Sequence, residues 1–133
     1  VHHNSCNIAF YKYDNYGDFS LTQNIIEYNT ASERLINIIF YRYDCTYINI
    51  SANIIRYNTG SDLIYIRYAS GEFKNNQIYA NSGSVVFYTE DLYYNSYGSI
   101  AIENNTIAGN SGTGLDITSM LSLIHISEPT RPY

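Results

Sequence analysis

The heptad NIIEYNT occupies residues 24–30, and NIIRYNT occupies residues 53–59. Six of the seven letters agree, and the one difference exchanges an acid, Glu27, for a base, Arg56. Both heptads belong to a wider motif, Asn-x-Ile-x-x-Asn, which occurs four times at steps of 29, 23 and 29 residues. Self-similarity at such a period predicts an architecture of stacked repeats.

Apolar and polar residues alternate around each motif, which is typical of short strands, and no helical periodicity interrupts them. Three short strands per repeat cannot bury an apolar face alone, but they can when each repeat is one rung of a stack. The segments predicted as the third strand are NIAFYKYD (7–14), NIIFYRYD (37–44), LIYIRYA (63–69) and VVFYTED (85–91), and GLDIT (114–118) begins a fifth copy.

Stacking brings equivalent residues of neighbouring rungs to about 4.8 Å, so that identical side chains form ladders. An amide can donate to one neighbour and accept from the other, so the first asparagine of the motif is predicted to form such a ladder. Position 27 alternates outward, and Glu27 is therefore predicted to pair with Arg56 on the next rung. The predicted ladder consists of Asn24, Asn53, Asn76 and Asn105.

The composition favours strands and argues against some partners. The chain has 133 residues, 16 tyrosines and a formal charge of −5, and no apolar run is long enough to cross a membrane. Its acidic balance argues against nucleic acid as a partner. Two cysteines do not make a disulfide framework, so Cys6 and Cys45 are interpreted as free or core thiols.

The end of the chain differs from everything before it. LSLIHISEPTR (121–131) resembles the in-frame translation of a widely used transposase sequencing adapter, and the alternative is a genuine polar tail. The expected organisation is an end segment over 1–6, rungs over 7–120 and an adapter-derived tail without native structure over 121–133.

The rung length, the stacked asparagines and the segment NNTIAGNSGTGLDI (104–117) resemble the right-handed parallel β-helix of the pectate-lyase-like superfamily, over about residues 7–118. The resemblance implies an all-β solenoid of about four rungs with three short strands each. It also implies a secreted or cell-surface location, with flanking rungs of the same chain as neighbours. The asparagine ladder would mark a short, constant corner, while TASERLI (30–36) and DLYYNSYGS (91–99) would be the longest variable corners.

By the same resemblance, the outer face of the FYKYD strand would carry a substrate groove. Matching the four segments letter by letter predicts an aromatic column beside a basic one, and three stacked cations cannot face a dry core. Aromatic faces suit sugar rings, and cations suit uronate carboxylates. The carbohydrate-binding candidates are Phe10, Lys12, Phe40, Arg42, Tyr65, Arg67 and Phe87.

Three interpretations of this face remain open. The basic residues could pair with Asp14, Asp44 and Glu90 as a solvated surface, or the face could bind sugars without catalysis. The third interpretation is a lyase-like groove, in which an arginine acts as base and acidic groups hold calcium. The sharper lyase and polygalacturonase motifs, such as Arg-x-Pro-x-x-Arg and Gly-His-Gly, are absent, so no catalytic residue and no metal ligand is assigned.

We therefore expect a repeat segment of a larger secreted or cell-surface protein, either structural and adhesive or carbohydrate-binding. FKNN (73–76) also resembles the Phe-x-x-Asn repeat of adhesin-like outer-membrane proteins. The alternative is part of a polysaccharide lyase or glycoside hydrolase whose catalytic rungs lie wholly or partly outside this chain. The residues favour a non-catalytic segment without a cofactor, and calcium enters only under the lyase alternative.

Overall fold

The computed structural model describes residues 5–14, 17–40, 47–88, 90–91, 96–97, 100–112 and 114–118, and within these ranges all regular structure is β. Most strands have three to five residues, as expected where Gly, Asn and Ser interrupt the apolar pattern. The strands are β1 (Ser5–Asp14), β2 (Phe19–Thr22), β3 (Ile25–Glu27), β4 (Thr30–Phe40), β5 (Tyr47–Ser51), β6 (Ile54–Arg56), β7 (Thr59–Arg67), β8 (Ser70–Lys74), β9 (Gln77–Tyr79), β10 (Ser82–Tyr88), β11 (Glu90–Asp91), β12 (Ser96–Tyr97), β13 (Ile100–Glu103), β14 (Thr106–Ala108) and β15 (Leu115–Thr118).

Three parallel sheets contain all of these strands except the antiparallel pair β11–β12. The long-strand sheet has the order β1-β4-β7-β10-β15, the second sheet β2-β5-β8-β13, and the short-strand sheet β3-β6-β9-β14. Each sheet takes one strand from every rung, in chain order. The chain therefore forms a solenoid-like stack of parallel strands, and the all-β, stacked-repeat prediction is confirmed at this level.

Columns of aliphatic side chains fill the space between the three sheets. Ile26, Ile55 and Ile78 are in register on the short-strand sheet, and each is completely buried. The apolar residues that precede each motif are in register on the second sheet, and all are buried. Because one rung buries its apolar side chains only against its neighbours, the core exists only as a property of the stack. This second column consists of Leu21, Ile50, Phe73 and Ile102.

Two tight corners per rung connect the second sheet to the short-strand sheet and the short-strand sheet to the long-strand sheet. At each corner one residue adopts a positive φ of 54–63°, and an asparagine of the motif follows it. Most of these residues are not glycine, although left-handed backbone is unfavourable for other residues. The rungs above and below therefore maintain this geometry. The positive-φ residues are Gln23, Ala52, Asn75 and Asn104 at the first corner, and Tyr28, Tyr57, Ala80 and Gly109 at the second.

The prediction of a loop at TASERLI (30–36) is wrong, because these residues form the first part of β4. The extra residues are accommodated by an irregularity in the pairing of β4 with β7, where the register shifts between Thr30 and Arg34. Beyond this irregularity Leu35 and Ile36 are consecutive and both fully buried, so both faces of this part of β4 are covered. The bulge thus turns an apparent corner into strand.

The columns predicted from the letter-by-letter match of the FYKYD segments are also wrong. The match placed Phe40 beside Phe10, a separation of 30 residues (40 − 10). In the structure Ile36 lies beside Phe10, a separation of 26 (36 − 10), and Phe40 lies beside Asp14. The register follows the face that must be buried, and the aliphatic residues of β4 occupy the core positions.

This register divides the candidate residues between the two faces of the long-strand sheet. Because side chains alternate, a slip by an odd number of residues moves a side chain to the opposite face. Lys12 and Phe87 occupy register positions in the column of the buried Ile66. Tyr65 and Arg67 alternate with that column and face outward, where both are partly exposed.

Candidate functional site

The asparagine side chains at the first corner are joined by hydrogen bonds from rung to rung. Asn53 donates its backbone N–H to Asn76 Oδ1 at 3.1 Å, and its Nδ2 to the same oxygen at 3.0 Å and to the Leu21 carbonyl at 2.7 Å. Its Oδ1 accepts from the backbone N–H and Nδ2 of Asn24 at 3.0 and 3.3 Å. Asn76 bonds in the same way to Asn105. The buried amide of Asn53 thus has partners for both its donor and its acceptor.

A second ladder at the other corner was missed by the sequence reasoning. Asn58 donates its backbone N–H and Nδ2 to Asn81 Oδ1 at 2.9 and 3.0 Å, and accepts from Asn29. Asn81 continues the ladder to Asn110. The signal was present, because these residues are the second asparagine of the repeated motif. The sequence predicts a ladder only for the first asparagine.

The predicted pair between Glu27 and Arg56 is confirmed on the outer face of the short-strand sheet. Arg56 Nε and Nη2 both lie 2.7 Å from Glu27 Oε2, and Arg56 Nη1 donates to the Tyr79 hydroxyl at 3.0 Å. The hydrogen bond to Tyr79 and then the bond to Glu27 raise the pKa of Arg56 above its usual value. Beside this pair, the rings of Tyr28 and Tyr57 stack with centroids 5.0 Å apart.

The outer face of the second sheet carries a cluster of charged side chains. Lys74 Nζ lies 3.0 Å from Glu72 Oε1 and 3.3 Å from Glu103 Oε2. The bond to Glu72 and then the bond to Glu103 raise the pKa of Lys74, and the bond to Lys74 lowers the pKa of Glu72. Desolvation and the Glu72 carboxylate raise the pKa of Tyr47. These charges neutralise one another locally and form a solvated surface.

The outer face of the long-strand sheet differs from both, because aromatic, amide and guanidinium groups are combined there. Tyr11, Asn37 and Tyr65 are in register on three successive strands, and we call them the tyrosine–asparagine column. Tyr11 is 57% exposed. The guanidinium carbon of Arg34 lies 3.9 Å from the Tyr65 ring centroid, and Arg34 Nε donates to Asp62 Oδ2 at 3.1 Å. The column therefore has a cation fixed over one ring.

Arg67 adds a second cation to this face, two residues beyond Tyr65. Its guanidinium carbon lies 4.5 Å from the Tyr68 ring centroid, and its Nη2 donates to the Tyr68 hydroxyl. Planar guanidinium groups held against rings keep N–H donors at their edges, which is a suitable surface for oxygen-rich ligands.

Asn37 is the unusual member of the column. It is only 3% exposed, and no described residue gives its Oδ1 a hydrogen bond. A buried acceptor without a donor costs about 1–3 kcal/mol, and such groups are rare in native structures. The column thus contains an unsatisfied acceptor between two tyrosine rings.

Among the candidate carbohydrate-binding residues whose side chains the structure describes, it brings Tyr65 and Arg67 together. Tyr65 and Arg67 face outward side by side, whereas Phe10 packs partly against the core. Lys12 is partly exposed at a register position above buried isoleucines, Phe40 and Phe87 lie in β4 and β10, and Arg42 lies outside the described residues. Arg34, Asn37 and Tyr11 are not among the predicted residues, and the register shift before Arg34 sets the partners of Arg34 and Asn37 on β7.

Comparison of the chain with protein-family models, with curated proteins and with solved structures finds no match in any of the three. Within the described ranges, no group of three or more His, Cys, Asp or Glu side chains is arranged to hold a metal ion. The same part of the chain contains no helix with the length and apolar character needed to span a bilayer.

Proposed function

We propose that this chain is a segment of a right-handed parallel β-helix of the pectate-lyase-like type, belonging to a larger secreted or cell-surface protein. We propose further that the outer face of its long-strand sheet binds carbohydrate without catalysis. Three parallel sheets, tight corners and asparagine ladders support the architectural part of the proposal. The handedness and the superfamily rest on the sequence resemblance.

The observation that carries the binding proposal is the tyrosine–asparagine column with Arg34 and Arg67 beside it. Tyrosine rings offer apolar faces of the size of a sugar ring, while the amide and guanidinium groups offer hydrogen-bonding partners. The column runs perpendicular to the strands, along the stack, with neighbouring positions about 4.8 Å apart. A chain of sugar rings laid along the stack would meet one side-chain position after another.

The scaffold supports such a role because regular strands carry the column. Asn37 and Tyr65 lie on β4 and β7, which are interior strands of the five-stranded sheet, and Tyr11 lies on the edge strand β1, which pairs with β4. Sites built on regular strands hold side chains more accurately than sites built on loops. A rigid display surface is equally suited to adhesion, so structural and carbohydrate-binding roles are compatible in one segment.

A glycan array probed with the full 133-residue chain tests the proposal. The array should contain neutral xylo- and gluco-oligosaccharides together with oligogalacturonates. Tyr65→Ala should weaken binding at least tenfold, equivalent to about 1.4 kcal/mol. Tyr57→Ala removes an exposed tyrosine at the corner that follows β6 and should leave binding unchanged.

Absence of binding by the wild-type chain would reject the proposal. Equal losses in Tyr65→Ala and Tyr57→Ala would place the site elsewhere or make the binding nonspecific. Release of unsaturated or reducing ends from oligogalacturonate, with or without calcium, would instead support the lyase alternative.

A further inference from the structure

The missing hydrogen-bond donor at Asn37 Oδ1 indicates one specific contact within the proposed binding surface. The residue is buried, its side chain belongs to an outward column, and its oxygen has no hydrogen-bond donor among the described residues. Native proteins seldom retain such a group unless it has a role beyond packing. An aliphatic side chain of similar volume would fill the position without the unsatisfied acceptor.

Other buried asparagines of this chain show what a structural amide looks like here. The Oδ1 atoms of Asn53, Asn58 and Asn76 each accept hydrogen bonds from the rung before, at 2.9–3.3 Å. Asn37 belongs to neither ladder. Its partners in register are Tyr11 and Tyr65, so no amide lies beside it to complete a ladder.

We infer that Asn37 is a specificity-determining residue of the proposed carbohydrate site, and that its Oδ1 accepts a hydrogen bond from a ring hydroxyl of a sugar unit lying against Tyr65. This inference rests on the proposed function. An ionised carboxylate has acceptors only, so the carboxylate of a uronate cannot satisfy this oxygen. The sugar unit at this position therefore contacts Asn37 through a hydroxyl group.

Access to Asn37 requires a side chain to move, because its Oδ1 is closed to solvent. Arg34 is a candidate for this movement, since it lies over the neighbouring ring of Tyr65. Its ion pair with Asp62 has both side chains partly exposed, at 30% and 25%, and a pair of this kind is weak. A ligand can thus displace the guanidinium from the ring and stack in its place.

The test compares variants of the full chain by calorimetric titration and by thermal melting. Probes are a neutral xylo-hexasaccharide, a neutral gluco-hexasaccharide and a hexameric oligogalacturonate. Asn37→Leu removes the acceptor, and Asn37→Asp retains acceptor oxygens in the same place. Asn53→Leu is the matched stability control, because the same substitution there removes an amide whose donor and acceptor are both bonded.

The expected result is that Asn37→Leu loses at least tenfold in affinity for the oligosaccharide that the wild type binds, while its melting temperature is equal to or above that of the wild type. Asn37→Asp should retain most of the affinity that Asn37→Leu loses. Asn53→Leu should melt well below the wild type.

Wild-type affinity in Asn37→Leu would overturn this inference and leave the proposed function standing. A lower melting temperature or failure to fold in Asn37→Leu would also overturn it, since the amide would then have a structural role. Equal losses in the Leu and Asp variants would overturn the acceptor role. No binding of any probe would reject the proposed function together with this inference.

Discussion

Buried asparagines occur in two regions of this molecule, and the two regions treat them differently. At the corners, the amide of Asn53 or Asn58 bonds to the rungs on both sides and helps to hold a positive-φ residue in place. On the outer face of the long-strand sheet, the equally buried Asn37 has an acceptor without a donor among the described residues. The corner asparagines recur in every rung because each one bonds to the asparagine of the neighbouring rung. The outer face departs from the repeat, and a departure that costs stability indicates selection for something else.

The largest expected effect tests how strictly the scaffold depends on close stacking. Gly71 has a φ of +141° and is buried in β8, where an added Cβ would overlap the backbone of Ile48 on the neighbouring rung. Gly71→Ala should lower the free energy of unfolding by more than about 3 kcal/mol, measured by urea denaturation. Gly109→Ala is the matched control, because nothing lies within 4 Å of its Cβ position and Ala80 already occupies the equivalent corner. A Gly71 variant as stable as the Gly109 variant would contradict close stacking at this position.

The next prediction tests the ladders directly. Asn58→Ala removes an amide that donates to Ile26 and Asn81 and accepts from Asn29, leaving buried partners unsatisfied. We expect a loss of about 3 kcal/mol, because each buried group without a partner costs about 1–3 kcal/mol. Asn110→Ala, in the partly exposed member of the same ladder, should cost less than half as much by the same denaturation measurement. Losses of equal size would mean that the corner, rather than the stacked amides, determines the effect.

A smaller effect is expected for the pair that the repeated heptads predicted. Glu27→Gln and Arg56→Gln, combined in a double-mutant cycle, should give a small favourable coupling, since the pair is partly exposed. The same cycle on Arg34 and Asp62 serves as the comparison from the outer face. A coupling between Glu27 and Arg56 that is absent at low salt would show that the contact does not contribute to stability.

The smallest effect concerns pH. The pKa of Glu72 is lowered by Lys74, so this pair contributes stability above the unfolded pKa of Glu72, and the contribution is lost as pH falls through the lower folded pKa. The pKa of Lys74 is raised, so its contribution is present below the unfolded value and is lost as pH rises through the higher folded one. Melting curves of the wild type and Lys74→Met should therefore differ near neutral pH and converge under strongly acidic and strongly alkaline conditions. Curves offset equally at every pH would show that Lys74 stabilises by packing alone.

The sequence alone predicts the features whose residue types are repeated at equivalent positions of successive rungs. The first amide ladder, the aliphatic columns and the pairing of Glu27 with Arg56 follow from spacing and alternation alone, since equivalent positions on stacked rungs must be compatible. The second ladder was equally readable from Asn29 and Asn58. These asparagines follow closely after a short strand, where an asparagine is usually interpreted as the residue that ends the strand.

The long-strand sheet could not be predicted in the same way. Its register shifts after Thr30 and again on β10 between Ser82 and Val85, because the rungs differ in length and the surplus is absorbed in this sheet. Burial of the aliphatic residues decides the register, and an odd slip reverses which side chains face solvent. The sequence pattern therefore does not distinguish Asn37 from other residues of its predicted strand. The register shift before Arg34 aligns Asn37 with Tyr65.

The near-identity of the two heptads has a consequence for inheritance. Because both begin at a corner asparagine, a recombination that removed residues 24–52 would connect Gln23 directly to Asn53. The chain would lose one rung, β2 would lie beside β8, and each ladder would lose only its first asparagine and keep the order of the others. Duplication of the same interval would add a rung by the same logic. A gene coding for this stack can therefore change the length of its product in whole rungs, leaving each surviving surface to diverge independently.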